Sequence, residues 1–186
     1  MLVLGDSISA AFGMSLEQGW VAELARRFDD AGSDRDFINA SISGDTSAGG
    51  LRRLPALLDE HDPAVLLIEL GGNDGLRGYP TDKLRDNLVR MAGLAQDRGA
   101  KVLILPMEIP PNFGPRYTAA FRAAFRDAAA SSGAQLGPFI LEDIATQTQL
   151  MQSDGIHPRV EAQALMAERI QPVLAELIAG RAAQNP

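Results

Sequence analysis

Short apolar runs alternate along this chain with longer stretches whose hydrophobic residues recur at helical spacing. Leu2, Val3 and Leu4 run straight into Gly5-Asp6-Ser7, as a buried strand does when it ends in a turn. Over residues 17–30, Trp20, Leu24 and Phe28 recur at every fourth place with Val21 and Ala25 beside them, which predicts one helical stripe closed by Gly32. Residues 36–40 read as a second strand. Residues 64–70 are apolar apart from Glu69, the pattern of a central parallel strand. Residues 81–97 predict a helix with Leu84, Leu88, Met91 and Ala95 inward and Gly99 at its end. Strands over 101–105 and 135–140 flank a helix over 116–131. A last helix from Pro158 is expected to bury Val160, Ala164, Ile170, Leu174 and Leu177 and to kink at Pro172; Pro55 is expected to start a second piece of the helix that follows Thr46.

Strands alternating with helices predict an α/β fold with a mostly parallel sheet of about five strands and helices on both faces. The 186 residues suffice for a single domain with a substantial core, and no repeat, linker or low-complexity segment divides them. A net charge of -7 argues against a nucleic-acid partner. No apolar run approaches the ~20 residues that span a bilayer, so stable membrane insertion is not expected. The absence of cysteine excludes disulfides, thiolate metal sites and a cysteine nucleophile. The first strand is short for a sheet centre and begins at residue 2, so upstream residues, such as a removed signal peptide, are expected.

The candidate chemistry collects where strands end, the edge at which open α/β sheets bind ligands. Ser7 follows the first strand behind a glycine that permits a tight turn. Gly44 lies in the small-residue stretch 41–47 after the second strand, where its backbone N–H can approach a ligand with no side chain in the way. Asn73 follows the central strand with a side-chain NH₂ to donate. Asp154 and His157 are three residues apart in a late loop, at most ~10 Å when extended, and can point to one place. Each has a plainer reading. Asp6 or Ser7 caps the next helix, Asp45, Thr46 or Ser47 caps another, Asn73 makes an Asx turn, and Asp154 is a turn residue. Two such ligands are too few for a metal, and His61, at the amino end of its strand, reads as a surface residue. Taken together they are what acyl transfer needs. A serine hydroxyl requires a histidine to take its proton, and the histidine requires an acceptor on its other nitrogen. The developing oxyanion requires fixed donors, for which the amides of Ser7 and Gly44 and the side chain of Asn73 qualify. No Gly-x-Ser-x-Gly elbow is present, which argues against the α/β-hydrolase arrangement.

Gly5-Asp6-Ser7-Ile8, Gly44 within Ser-Gly-Asp, Gly71-Gly72-Asn73-Asp74 and Asp154-Gly155-Ile156-His157 resemble, in order and spacing, the four blocks of the SGNH (GDSL-type) hydrolases. The likeness spans nearly the whole chain and is greatest to the bacterial thioesterase I, lysophospholipase and arylesterase branch. The resemblance implies a flavodoxin-like three-layer α/β/α fold, no cofactor and no metal, and a typically periplasmic or secreted protein. It implies small-molecule substrates: acyl thioesters, lysophospholipids and simple esters. It casts Ser7 as nucleophile, His157 as base, Asp154 as its orienter, and Ser7, Gly44 and Asn73 as the oxyanion hole. Two positions depart from the pattern: Ile8 replaces the usual leucine, and Glu108 stands where a basic residue is expected. Beside the site, Leu76, Tyr79 and Pro80 after one strand and Met107, Ile109 and Phe113 after the next are expected to form an apolar groove for an acyl chain, with 75–80 moving as the chain enters. A carbohydrate O-deacetylase of the same superfamily and a flavodoxin-like anion-binding module are the rival readings. A monomer is expected.

Overall fold

The computed structural model describes residues 1–180. Its five strands, β1 (Leu2–Gly5), β2 (Ile38–Asn39), β3 (Val65–Glu69), β4 (Lys101–Ile104) and β5 (Gln135–Leu136), form one parallel sheet in the order β2-β1-β3-β4-β5. The chain starts at β1, steps outward to β2, then returns past β1 to β3 and onward. The carboxyl ends of β1 and β3 therefore flank the place where the winding reverses, and loops on either side diverge to leave a crevice. Gly5 stands opposite Glu69 there.

Helices α1 (Trp20–Asp30) and α6 (Val160–Ala179) pack together on one face; α2 (Ser47–His61), α4 (Thr81–Gln96) and α5 (Pro115–Ser132) line the other. Leu2, Leu4, Leu66, Leu67 and Ile68 are fully buried between these layers. Burial on both faces explains why β1 and β3 read as continuous apolar runs. Phe121 and Phe125 of α5 meet edge to face at 5.2 Å within the same core.

Several elements differ from their sequence pattern, each for a local reason. The first helix begins at Trp20, because residues Leu16–Gln18 form a separate 3₁₀ turn and Gly19 is extended. The edge strands are shorter than expected. After β5 the ladder continues only to the Gly137 N–H, which donates to the Ile104 carbonyl at 2.8 Å, and Pro138 then has no N–H to offer. In α6 the buried face is Ala162, Gln163, Met166, Ala167, Ile170 and Leu174, whereas Val160 and Ala164 face outward. Ala164 sits about 120° round the helix from Ile170, so the two cannot share a stripe. Both α2 and α6 run through their internal prolines as single helices.

Candidate active site

Three tight segments converge at the carboxyl ends of β1 and β3. At the end of β1 the chain turns because Gly5 has no side chain: a Cβ there would lie 2.7 Å from Ser9 and 2.8 Å from Ser41 Oγ. The next residues make one helical turn that is not continued, with the Ala10 N–H donating to the Asp6 carbonyl (2.9 Å) and the Phe12 N–H to the Ser7 carbonyl (3.1 Å). Ser7 stands at its head, half-buried. Asp6 caps this turn, as its plainer reading predicts, since its Oδ1 accepts the Ile8 N–H at 3.1 Å. Its other oxygen reaches across to β3's end and accepts from Asn73 Nδ2 at 3.1 Å.

Asn73 lies in the first turn of a short helix, α3 (Gly72–Leu76), where the sequence suggested only a loop. Gly71 enters that helix at φ 125°, a backbone state that side chains rarely tolerate. Gly44 turns its loop at φ 79°. The loop is held from both sides: Asp45 pairs with Arg53 at 2.8 Å, Arg53 also donates to the carbonyls of Ala40 and Gly5, and Arg77 donates to the Gly44 carbonyl at 3.1 Å. Among the described residues, neither the Ser7 nor the Gly44 N–H donates a hydrogen bond to a protein group. Two backbone donors and the Asn73 amide are thus fixed at one edge, with the backbone pair uncommitted.

The third segment precedes α6. Met151 and Pro158 bridge, and the Gln152 N–H donates to the His157 carbonyl at 2.7 Å, closing a loop that Gly155 turns at φ 67°. Within it Asp154 Oδ1 accepts the backbone N–H groups of Ile156 (2.9 Å) and His157 (3.0 Å). His157 Nδ1–H donates to Asp154 Oδ2 at 2.7 Å, and the Ser7 hydroxyl donates to His157 Nε2 at 2.9 Å. That tautomer leaves the nitrogen facing Ser7 free to accept a proton. Desolvation pushes the Asp154 carboxyl up, but the hydrogen bonds from the His157 ring and from the two backbone N–H groups outweigh it and hold the carboxyl at about 2. Asp154 stays anionic wherever the imidazole is to be steadied.

The GDSL-like Lipase/Acylhydrolase family matches residues 3–165. The chain belongs to that family. It is 53% identical to Esterase TesA of Pseudomonas aeruginosa over 96% of this chain and 89% of that one. It is 41% identical to Thioesterase 1/protease 1/lysophospholipase L1 of Escherichia coli K12, over 94% and 84%. Among solved structures, the psychrotrophic esterase EstA from Pseudoalteromonas, inhibited by monoethylphosphonate, superposes with a TM-score of 0.92 at 43% identity, covering 96% of this chain and 97% of that one.

The two loops expected to form an acyl groove do meet, but as a packed patch rather than an open channel. Met107 and Ile109 are buried: Met107 Sδ accepts the Gly72 N–H at 2.9 Å, and Ile109 lies against Gly75. Leu76 and Phe113 are half-buried, while Tyr79 and Pro80 are exposed, with the Tyr79 carbonyl accepting from Tyr117 Oη at 2.7 Å. Glu108 pairs with Arg122 of α5 at 2.6 Å, which places its charge on the outer side of this patch. Around Ser7 the exposed apolar side chains are instead Phe12, Ile42 and Ile156, of which only short turns and no periodicity gave warning. Phe12 stacks on the His157 ring with centroids 4.2 Å apart, and Gln152 Nε2 donates to the Phe12 carbonyl at 2.8 Å, tying the histidine loop to the serine turn. Among the described residues no cluster of three or more His, Asp or Glu is arranged to hold a metal, and no helix is long and apolar enough to cross a membrane.

Proposed function

We propose that the protein is a serine esterase and thioesterase that works through an acyl-enzyme on Ser7. The observation that carries this reading is the unbroken relay from Ser7 Oγ to His157 Nε2 at 2.9 Å and from His157 Nδ1 to Asp154 at 2.7 Å. His157 takes the hydroxyl proton as Ser7 attacks the acyl carbon, and returns it to the departing alcohol or thiol. A water then repeats the cycle to release the acid. The negative charge on the tetrahedral oxygen falls to the N–H groups of Ser7 and Gly44 and to the Asn73 amide, each worth roughly 2.7–4 kcal/mol in such holes. The names of the relatives support ester and thioester substrates, and an anion-binding module would leave the Asp154–His157 pair without a task.

The acyl chain is proposed to lie over Leu76, Tyr79, Pro80, Met107, Ile109 and Phe113. Because Met107 and Ile109 are covered by α3, a long chain reaches them only as the segment 75–80 gives way. Each methylene buried there contributes at most about 0.8 kcal/mol, or up to about fourfold in kcat/KM. A panel of p-nitrophenyl esters from acetyl to decanoyl, run beside an acyl-CoA and a lysophospholipid, is expected to show kcat/KM rising over several carbons and falling in Ile109→Ser. Equal values for acetyl and octanoyl esters would remove the groove and favour the deacetylase reading. A periplasmic or secreted location belongs to the same proposal, supported by the family likeness and open to test by fractionating cells that express the natural gene.

A further inference from the structure

The relay uses Asp154, yet a second carboxylate lies closer to Ser7 in the chain and has no part in proton transfer. Asp6 is almost wholly buried, and both of its oxygens accept: Oδ1 from the Ile8 N–H at 3.1 Å and Oδ2 from Asn73 Nδ2 at 3.1 Å. Beneath it lies Glu69, fully buried, whose Oε2 accepts from Ser9 Oγ at 2.6 Å and faces the Asp6 N–H at 3.5 Å, while its Oε1 has no partner. A side-chain amide has two nearly isosteric faces, and nothing in its own shape decides whether NH₂ or carbonyl oxygen points into a site. At Asn73 the choice matters, because a carbonyl oxygen turned toward a developing oxyanion would repel it.

We propose that Asp6 is a positioning residue for Asn73: as an acceptor on both oxygens it holds the NH₂ end of the amide toward Ser7, leaving the second N–H to meet the oxyanion. The inference rests on the oxyanion role of Asn73 in the proposed reaction. It explains why an acidic side chain occupies a site where burial is costly. An asparagine at position 6 has one acceptor and one donor where two donors must be received. One of the two N–H groups, from Ile8 or Asn73, would then face another N–H.

The ionisation of the pair is consistent with this use. Burial, opposed by the hydrogen bonds from Ile8 and Asn73, moves the Asp6 carboxyl up to about 6. Burial first, then the charge of Asp6, raises Glu69 well above the usual carboxylate range, so the fold favours a protonated Glu69 beneath Asp6. The other titratable groups facing Asp6 are His157 and Asp45.

The test is a double-mutant cycle on the full chain with an ester substrate. Asp6→Asn is expected to lower kcat by about 10- to 100-fold with KM changed less than about threefold, a loss bounded by that of an oxyanion donor. In an Asn73→Ala background the same change is expected to cost less than about twofold, because the group it positions has gone. A kcat equal to that of the unmutated chain in Asp6→Asn, or an equal fold-loss in both backgrounds, overturns the proposal. If Asn73→Ala leaves kcat unchanged, the oxyanion reading itself fails and the positioning role with it. Should Asp6→Asn not fold, the Asn73 side-chain amide resonances of an otherwise unmutated His157→Asn protein, assigned by their loss in Asn73→Ala, answer the same question. They are expected to shift with a midpoint near the Asp6 value of about 6. Resonances that do not move between about pH 4 and 8 would contradict it.

Discussion

The turn after β1 and the loop before α6 each bring one aspartate to Ser7, and the two are treated in opposite ways. Asp6 is buried with Glu69 beneath it, and its carboxyl is pushed up to about 6. Asp154 has a side chain 39% exposed, and its carboxyl is held down at about 2. Both receive backbone and side-chain N–H groups, two at Asp6 and three at Asp154. Burial separates them far more. In the β1 turn desolvation wins, and the charge there serves to fix geometry. In the α6 loop the hydrogen bonds together outweigh desolvation, and the carboxylate stays ionised beside the imidazole that is proposed to gain a proton. One region is buried and, in the proposed reaction, supplies donors; the other is a nearly self-contained loop that carries the proposed base and is stapled to the first by Gln152 and Phe12.

The largest expected effects fall on the α6 loop. His157→Asn should approach the loss seen when a nucleophile itself is removed, on the order of 10⁶-fold in kcat, because among the described residues no other side chain is bonded to the Ser7 hydroxyl. Asp154→Asn should cost less, about 10⁴-fold, since the imidazole remains but its tautomer is no longer dictated. Steady-state kinetics on both purified variants would expose an error: an Asp154→Asn loss below about tenfold would mean that the backbone alone orients His157.

A smaller effect separates the two aspartates in stability. The Asp154 carboxyl is lowered on folding, so its contribution is present above ~3.9, the unfolded value, and is lost as pH falls toward about 2. Asp6 and Glu69 are raised on folding, so they act in the other direction. The native state holds protons that the unfolded chain has released, and stability declines as pH rises from ~4 through about 6 and beyond. Glu69→Gln removes one of these groups. Thermal unfolding from about pH 5 to 8 should therefore show a shallower fall in Tm in Glu69→Gln than in the unmutated chain. Parallel curves would mean that Glu69 is not held neutral by the fold.

Much of this site was legible before any fold was known, because its chemistry sits where apolar runs stop. Ser7, Gly44 and Asn73 each follow a strand, and a parallel sheet brings such ends to one edge whatever their separation in the chain. Asp154 and His157 were legible as a pair because three residues of chain cannot keep them far apart. What escaped depended on contacts between segments. Asp6 and Asn73 are 67 residues apart, and nothing in Gly-Asp-Ser shows that the aspartate looks away from its own turn. Glu69 showed only as the one polar residue in an apolar strand, and its pattern gave no sign that it is buried completely against Asp6. Met107 and Ile109 read as groove-lining because they are apolar and near the site, and only the packing of α3 shows them covered. The face of α6 was misjudged at Val160 and Ala164 because the helix is apolar on more than one side, so periodicity alone could not choose between stripes.

The central claim is that Ser7, activated by His157, is the atom that takes the acyl group. Intact-mass spectrometry after treatment with an alkyl phosphonate ester, followed by peptide mapping, tests it without assuming any natural substrate. One adduct per chain is expected, on Ser7 alone, formed far more slowly in His157→Asn and absent in Ser7→Ala. An adduct that forms equally in Ser7→Ala, or that maps to another residue with esterase activity lost, would contradict the account.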